Sequence, residues 1–140
     1  MNVLIDTNVA IDVLVQREPF FEHSQLVLLA SEKKYINGFI SASSITDIFY
    51  ITRKFTKDKA STYHLVKKHL MATVGIASVD GDIISKALDA QWNDFEDCVQ
   101  YFVSERISAD FIVTRNPNDF KNSSIKVVTP EGLLNIIVAD

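Results

Sequence analysis

Short apolar runs alternate with longer amphipathic stretches along most of the chain. Five of the short runs are rich in branched side chains and bounded by polar residues, a pattern typical of buried strands. We predict these strands at 2–5, 39–41, 74–79, 111–114 and 125–129. In the longer stretches, apolar residues recur at helical spacing. They predict helices at 9–15, from Pro19 to about 34, and at 43–55, 58–71, 82–90, 94–107 and 130–137.

This alternation predicts an α/β fold with a parallel sheet, because parallel strands need crossover connections that helices usually supply. Helices then cover both faces of the sheet, so its strands are apolar throughout. The chain has 140 residues, which is enough for one sizeable core. It contains no linker, repeat or low-complexity segment that would mark a boundary. We therefore predict a single domain over residues 1–140.

Charge and composition narrow the setting of the protein. The net charge is −4, which argues mildly against a protein that binds nucleic acid through a broad basic surface. A local basic cluster exists nonetheless, but a solvated helical surface explains it more simply; it comprises Arg53, Lys54, Lys57, Lys59, Lys67 and Lys68. The only cysteine, Cys98, excludes an internal disulfide, and neither a signal peptide nor an 18-residue apolar span is found. We expect a cytoplasmic protein without membrane contact.

Four aspartates have a special relation to the predicted strands. Asp6, Asp47 and Asp119 lie at or just after strand ends, and Asp97 lies in the first turn of a helix. In open parallel sheets, ligands bind beyond the carboxyl ends of the strands. These four side chains are thus candidates for one binding site.

Taken one at a time, each of these acids has a simpler explanation. Ser44 with Asp47, and Asp94 with Asp97, have the spacing of capping boxes, and carboxylates near helix N-termini are stabilised by the helix dipole. Five further aspartates are assigned directly to such capping or first-turn roles: Asp12, Asp58, Asp80, Asp82 and Asp89.

Taken together, the four aspartates predict a divalent cation. Carboxylates that converge on one rim repel one another and raise each other's pKa values, and a cation relieves this repulsion. Oxygen ligands favour Mg²⁺ or Mn²⁺, and no cluster of cysteines and histidines competes for a softer metal.

Four segments, in this order and spacing, resemble the PIN domain family, in particular the bacterial single-domain kind similar to VapC-type toxins. They are VLIDTNVAID, ISASSITDIFYI, DFEDCVQYFVSE and DFIVTRNPNDF. The resemblance implies a Rossmann-like three-layer α/β/α sandwich around a central parallel sheet. It also implies an endoribonuclease that depends on Mg²⁺ or Mn²⁺, with RNA as substrate and a small antitoxin protein as partner.

The resemblance also assigns site residues. Asp6, Asp47 and Asp97 match the first three acids, although the family more often has Glu at the second position. The fourth position is open, because Asn116 occupies it and Asp119 lies nearby. The matching groups that would orient the acids or contact RNA are Thr7, Asn8, Asp94, Thr114, Arg115 and Asn116.

Two other kinds of function stay open. One is a PIN-like binding module with a degenerate site, which Asn116 and the shorter acid at position 47 favour slightly. The other is a different acid-rimmed α/β class, a haloacid dehalogenase-type phosphatase or a receiver domain. Asn8 replaces the second acid that the phosphatase needs, and no lysine follows the fourth strand before Lys121. A homodimer or antitoxin interface is one use for the apolar residues of the second helix, which are otherwise core: Phe20, Phe21, Leu26 and Leu29.

Overall fold

A computed structural model describes residues 1–139. Its strands are β1 (Asn2–Ile5), β2 (Asn37–Ser41), β3 (Gly75–Ala77), β4 (Phe111–Val113) and β5 (Lys126–Val128). Its α-helices are α1 (Thr7–Leu14), α2 (Phe21–Glu32), α3 (Ala42–Thr56), α4 (Lys59–Val66), α5 (Gly81–Ala90), α6 (Phe95–Arg106) and α7 (Pro130–Ala139). A π-helical turn covers Lys67–Met71, and a 3-10 helix covers Pro117–Phe120.

The five strands form one parallel sheet in the order β3-β2-β1-β4-β5. β1 is central, and its Leu4 pairs with Phe39 of β2 on one side and Ile112 of β4 on the other. The chain builds β1, β2 and β3 outward in one direction and then returns to add β4 and β5 on the opposite side. This is the three-layer α/β/α sandwich with a central parallel sheet that the sequence predicts.

The core lies in two layers, one on each face of the sheet. Successive side chains of a strand point to opposite faces, so Val3 and Ile5 belong to one apolar cluster and Leu4 to the other. The first cluster is covered by α1, α2, α3, α4 and α7, and the second by α5 and α6. All three of these β1 side chains are fully buried. The site at the end of β1 is therefore held by the most rigid part of the fold.

The first two helices begin at other residues than the sequence predicts. The first helix is predicted at 9–15 but starts at Thr7, with Asp6 as its cap: the extended backbone of Asp6 follows β1, and its carboxylate accepts a hydrogen bond from the amide of Thr7. The predicted place of Pro19 in the first turn of α2 is also wrong. Pro19 lies in the preceding turn, and the helix starts at Phe21.

The predicted capping box of Ser44 and Asp47 is wrong as well. Ser41, the last residue of β2, caps α3 through a hydrogen bond from the amide of Ser43. Helix α3 therefore follows β2 without a loop, and Asp47 lies in its second turn. This shift frees the Asp47 carboxylate from any role at the start of the helix.

Three other predicted caps are confirmed: Asp58, Asp80 and Asp94 each accept a hydrogen bond from a backbone amide at the start of α4, α5 and α6. The predicted helix at 58–71 is continuous, but its second part is the π-helical turn. Leu70 of this turn is fully buried. The predicted strand at 74–79 shortens to Gly75–Ala77, where β2 offers pairing partners. Within residues 1–139, none of the helices is long and apolar enough to cross a bilayer.

Candidate functional site

The candidate site lies where the order of the strands reverses. The chain leaves β1 toward β2 on one side, and β4 lies on the other side of β1. The connections after β1 and β4 diverge there and leave a crevice at the carboxyl ends of the two strands. Asp6 follows β1 directly and Thr114 follows β4 directly. The topology thus brings together residues that are more than 100 positions apart in the chain.

Asp6 is the best-held side chain of this crevice, with 4% of its surface exposed. Its Oδ1 accepts hydrogen bonds from the amide of Thr7 at 2.7 Å and from Nε2 of Gln100 at 2.9 Å. Its Oδ2 accepts one from the hydroxyl of Thr114 at 2.7 Å. Three donors from β4, α1 and α6 therefore fix the orientation of one carboxylate.

The charge of Asp6 is only partly compensated by these donors. Burial raises the pKa of the Asp6 carboxyl, and the negative charge of Asp119 raises it further, while the three hydrogen bonds oppose the shift. Burial disfavours an anion because water no longer solvates it. A cation at this place would favour the ionised carboxylate and so oppose the effect of burial on the pKa.

Asp97 lies in the first turn of α6, where the side chain of Asp94 accepts a hydrogen bond from its amide at 2.9 Å. Burial raises the pKa of the Asp97 carboxyl to about 7, and the charges of Asp6, Asp94, Asp119 and Glu96 contribute to this shift. Asp94 is therefore a helix cap. The carboxyl of Asp97, which the sequence also allowed as part of a capping box, faces the other acids instead.

Glu96 and Gln100 are two site residues that the sequence analysis missed. Oε1 of Glu96 accepts hydrogen bonds from the hydroxyl of Thr7 at 2.8 Å and from Nε2 of Gln100 at 3.4 Å. Burial raises the pKa of Glu96, and the nearby carboxyls of Asp47 and Asp6 raise it further. Their four-residue spacing puts both side chains on one face of α6, but their partners Thr7 and Asp6 lie about 90 positions earlier in the chain, so the sequence alone carries no signal for their role.

Asp47 and Asp119 complete the acidic rim. Both side chains are exposed; Asp47 reaches the rim from α3, and Asp119 from the 3-10 helix after β4. The negative charge of Asp47 raises the pKa of Glu96. The negative charge of Asp119 raises the pKa values of Asp6 and Asp97. The rim thus comprises five carboxyls, namely those of Asp6, Asp47, Glu96, Asp97 and Asp119.

The remaining predicted residues lie around this rim. Oδ1 of Asn8 accepts a long hydrogen bond of 3.5 Å from the amide of Arg115, and the amide of Asn116 donates to the hydroxyl of Thr114 at 3.1 Å. The side chain of Asn116 is exposed. Its contribution is therefore through the backbone, by holding the Thr114 hydroxyl that contacts Asp6.

Asp12 differs most from its predicted role. The sequence assigns it to capping or first-turn charge, but its side chain is fully buried. It pairs with Nε of Arg115 at 2.8 Å and with Arg17 at 3.7 Å. Burial raises the pKa of Asp12, and the two arginines oppose the shift. Arg115 is thus tied to α1 on the side of the sheet away from α6.

None of the five rim acids has a salt bridge among the described residues. In the same part of the chain, no three His, Cys, Asp or Glu side chains form a ready-made metal-binding group. The rim therefore concentrates negative charge without a protein cation to neutralise it, and it does so with oxygen donors alone.

Solved structures with this fold include proteins from three bacteria. A toxin–antitoxin complex from Klebsiella pneumoniae is 21% identical, with 91% of this chain and 97% of that chain covered and a TM-score of 0.65. VapBC2 from Rickettsia felis, bound to a DNA fragment from its promoter, is 14% identical, with 92% and 98% covered and a TM-score of 0.67. VapC20 from Mycobacterium tuberculosis, described as a toxin that cleaves the sarcin–ricin loop, is 9% identical, with 79% and 86% covered and a TM-score of 0.64. At these identities the likeness establishes the fold.

The family itself rests on the sequence match. No curated protein sequence matches the chain significantly. A family model described as the PIN domain, however, matches residues 2–118, a range that includes Asp6, Asp47, Glu96 and Asp97 together with most of the sheet. The sequence match and the fold agree, and the chain belongs to the PIN domain family.

Proposed function

We propose that this protein is an endoribonuclease that hydrolyses RNA phosphodiester bonds with Mg²⁺ or Mn²⁺. The observation that carries the proposal is the acidic rim: five carboxyls lie around the topological switch point, and none of them has a salt bridge among the described residues. Titratable groups with strongly perturbed pKa values cluster at functional sites more often than elsewhere. The position of the rim is also where this kind of sheet binds ligands.

The donor set fits a hard divalent cation. Carboxylate oxygens are the ligands that Mg²⁺ and Mn²⁺ prefer. Burial first, and neighbouring carboxyl charges second, raise the pKa values of Asp6, Glu96 and Asp97, and a bound cation would oppose both effects. Mg²⁺ keeps several waters and is often bound by one or two carboxylates plus substrate phosphate. A rim without a complete protein cage therefore suits it.

We assign metal binding to Asp6 and Asp97, with Asp47 and Asp119 contributing from the exposed sides of the rim. A cation held there would supply Lewis acidity for phosphodiester hydrolysis. Thr7, Gln100 and Thr114 keep the Asp6 carboxylate in one orientation, as outer hydrogen-bond partners do for metal ligands. Glu96 adds a fifth carboxyl between Asp6 and Asp47, and it compensates for the shorter side chain at position 47.

The test is cleavage of RNA by the Asp6→Asn variant. Asparagine can still accept hydrogen bonds from Thr7 and Gln100, and the Thr114 hydroxyl can accept from its amide, so the fold should persist. We expect cleavage to fall about 100-fold or more, because even outer-shell partners of metal sites are worth 10–100-fold. The matched control is Asp89→Asn, which removes an exposed acid of α5. Equal cleavage by both variants would refute the assignment.

A binding module with a degenerate site is the second candidate, and Asn116 at the fourth acid position favours it. The charge that Asp119 exerts on Asp6 and Asp97 argues against it, because Asp119 then supplies the acid that Asn116 lacks. Calorimetric titration with Mn²⁺ distinguishes the two. A nuclease site should bind the ion at millimolar concentration or below, whereas a degenerate site should give no heat.

We further propose that the protein is the toxin of a toxin–antitoxin pair in the cytoplasm. The support is the likeness in fold to a toxin–antitoxin complex from Klebsiella pneumoniae and to the toxin VapC20 from Mycobacterium tuberculosis. An antitoxin would neutralise the acidic rim with an arginine or lysine, and Leu26 and Leu29 of α2, both more than a third exposed, offer an apolar surface to it or to a second copy of the chain. Induced expression should arrest bacterial growth, and Asp6→Asn should relieve the arrest.

A further inference from the structure

A small cleft opens on the same edge of the sheet as the acidic rim, on the face covered by α1, α2 and α7. Its volume is about 190 Å³. Its polar lining consists of His23 and Ser24 from α2, Arg115 from the end of β4, and Thr129 and Glu131 from the start of α7, while Phe20 forms an aromatic wall. We call it the Arg115 cleft. Two helices, α2 and α7, begin at this cleft, and their N-terminal dipoles favour an anion there.

Arg115 is held rigidly in this cleft. Its Nε lies 2.8 Å from the buried carboxylate of Asp12, and its guanidinium lies over the ring of Phe20, with 4.2 Å between Cζ and the ring centroid. Only 19% of the side chain is exposed. A guanidinium fixed on one edge and one face has lost most of its freedom, so binding a ligand with its remaining edge would cost little further entropy.

The other edge of the guanidinium is available. In the described part of the chain, no side-chain hydrogen bond involves the terminal nitrogens of Arg115. Asp12 also pairs with Arg17, whose side chain is 37% exposed, so this group of one carboxylate and two arginines carries a formal net charge of +1. Arg115 is the arginine of the group that lines the cleft.

A second, independent feature is Ser24. Its side chain is fully buried in the lining of the cleft, and its hydroxyl has no hydrogen-bond partner. A buried hydroxyl without a partner costs free energy. A phosphate oxygen is an acceptor that would satisfy it.

We propose that the Arg115 cleft binds a backbone phosphate of the RNA strand, next to the phosphate that is cleaved at the acidic rim. This proposal rests on the proposed nuclease function. The link between the two sites is one residue long: the hydroxyl of Thr114 donates to Asp6, and the next residue is Arg115. A planar guanidinium edge matches two phosphate oxygens, and a fixed second phosphate would orient the strand across the acids. Asp12 is then a positioning residue for Arg115.

Glu131 provides the sharpest test, because it lines the cleft with a negative charge and should repel the phosphate. Glu131→Gln should therefore bind a short single-stranded RNA about threefold more tightly, by the size of exposed charge interactions. Glu22→Gln is the matched control: it removes the same charge from the first turn of α2, outside the cleft. Binding is measured by fluorescence anisotropy with Ca²⁺ in place of Mg²⁺, so that the strand stays intact.

Arg115 itself is tested with Asp12, since a single change would leave a buried charge without its main partner. The double variant Asp12→Asn with Arg115→Gln keeps a neutral hydrogen-bonding pair, and thermal unfolding checks its fold. We expect about tenfold weaker RNA binding and a salt dependence reduced by about one phosphate contact. Inorganic phosphate should compete with RNA in the wild-type chain and not in the double variant.

The outcomes separate the two proposals. Unchanged RNA binding in both Glu131→Gln and a folded double variant would overturn the proposal that the Arg115 cleft binds a phosphate, even if the wild-type chain cleaves RNA. Tighter binding by Glu131→Gln but not Glu22→Gln would support the cleft, even if no cleavage is found. If the double variant does not fold, the comparison of Glu131→Gln with Glu22→Gln alone decides whether the Arg115 cleft binds RNA.

Discussion

At the scale of single residues, the carboxyls of Asp12 and Asp6, which are buried, and of Asp97, which is half-buried, differ in how far their charge is compensated. Asp12 has two arginines, and Asp6 has three hydrogen-bond donors. The side chain of Asp97 accepts no hydrogen bond within residues 1–139, and its pKa is the one raised to about 7. Asp97 should therefore be the most sensitive of the three to pH and to metal.

This sensitivity gives a prediction on stability in the absence of metal. Because the pKa of Asp97 is about 7 in the folded chain and ordinary in the unfolded chain, the folded chain holds more protons between these values. Stability then falls as the pH rises from about 4 to about 7. In Asp97→Asn this loss disappears, and above pH 7 the variant should be more stable than wild type by about 1–2 kcal/mol, a value reduced because the side chain is half-exposed.

Urea unfolding at a series of pH values in chelator measures this difference. The two proteins should have the same free energy of unfolding near pH 4 and diverge above it. The control Asp89→Asn should follow wild type at every pH. If the free energy of unfolding of Asp97→Asn stays parallel to that of wild type from pH 4 to 8, the folded chain does not raise the pKa of Asp97.

Some of these residues can be predicted from the sequence and others cannot, for a physical reason. Asp6 and Asp97 follow recognisable signals, a strand end and a helix start. Asp12 has neither signal, and its burial depends on Arg115, which lies 103 positions later and is brought to it by the pairing of β1 with β4. Glu96 is similar, because Thr7 and Asp47 lie on other elements. Partners from distant segments define these roles, and a single sequence does not contain the pairing.

At the scale of helices and strands, the order of elements follows from hydrophobic periodicity, whereas their exact ends depend on hydrogen bonds. Asp6, directly after β1, and Ser41, the last residue of β2, each cap the next helix, so α1 and α3 begin earlier than the predicted residues 9 and 43. Such abrupt strand-to-helix turns keep the starts of α1 and α3 close to the sheet edge. The rim accordingly includes Asp6, the cap of α1, and Asp47 of α3.

Two glycines give a prediction about these elements. A Cβ at Gly38 of β2 would lie 2.7 Å from Oγ of Ser31, whereas at Gly81, the first residue of α5, nothing lies within 4 Å. The Ser31 hydroxyl bridges α2 to the rest of the chain: it accepts from the amide of Gly38 at 3.1 Å and donates to the carbonyl of Thr73 at 2.7 Å. Gly38→Ala should therefore lower the free energy of unfolding by about 1–3 kcal/mol.

Gly81→Ala is its matched control and should be neutral or stabilising by up to about 1 kcal/mol, since alanine favours helix and restricts the unfolded chain. Chemical unfolding measures both. A Gly38→Ala protein as stable as wild type would mean that Ser31 turns away without loss, and that the bridge to Thr73 contributes little to the fold.

At the scale of the whole molecule, the alternation of strands and helices predicts a parallel sheet, but it does not predict the strand order. The order β3-β2-β1-β4-β5 places the reversal at β1 and β4, and the pairing of these two strands brings Thr114 and Arg115 to Asp6. Asp6 belongs to the acidic rim and Arg115 to the cleft, so both features depend on this pairing. The proposed function thus depends on the strand order as well as on the acidic residues.

The fold also concentrates repulsion that a ligand can release, which leads to a prediction for the intact molecule. In the proposed function, Mg²⁺ or Mn²⁺ binds the folded rim and not the unfolded chain, so it should raise the melting temperature with increasing concentration. At a concentration about 100 times the dissociation constant, the gain is about 2.7 kcal/mol, which corresponds to several degrees for a chain of this size.

The rise in melting temperature should be larger at pH 8 than at pH 6, because Asp97 is more often ionised at pH 8, and Asp97→Asn should lose most of this rise. Na⁺ at equal ionic strength is the control, since general screening would act on all acids alike. An equal rise with Na⁺, or an undiminished rise in Asp97→Asn, would mean that the acids repel one another without forming a cation site.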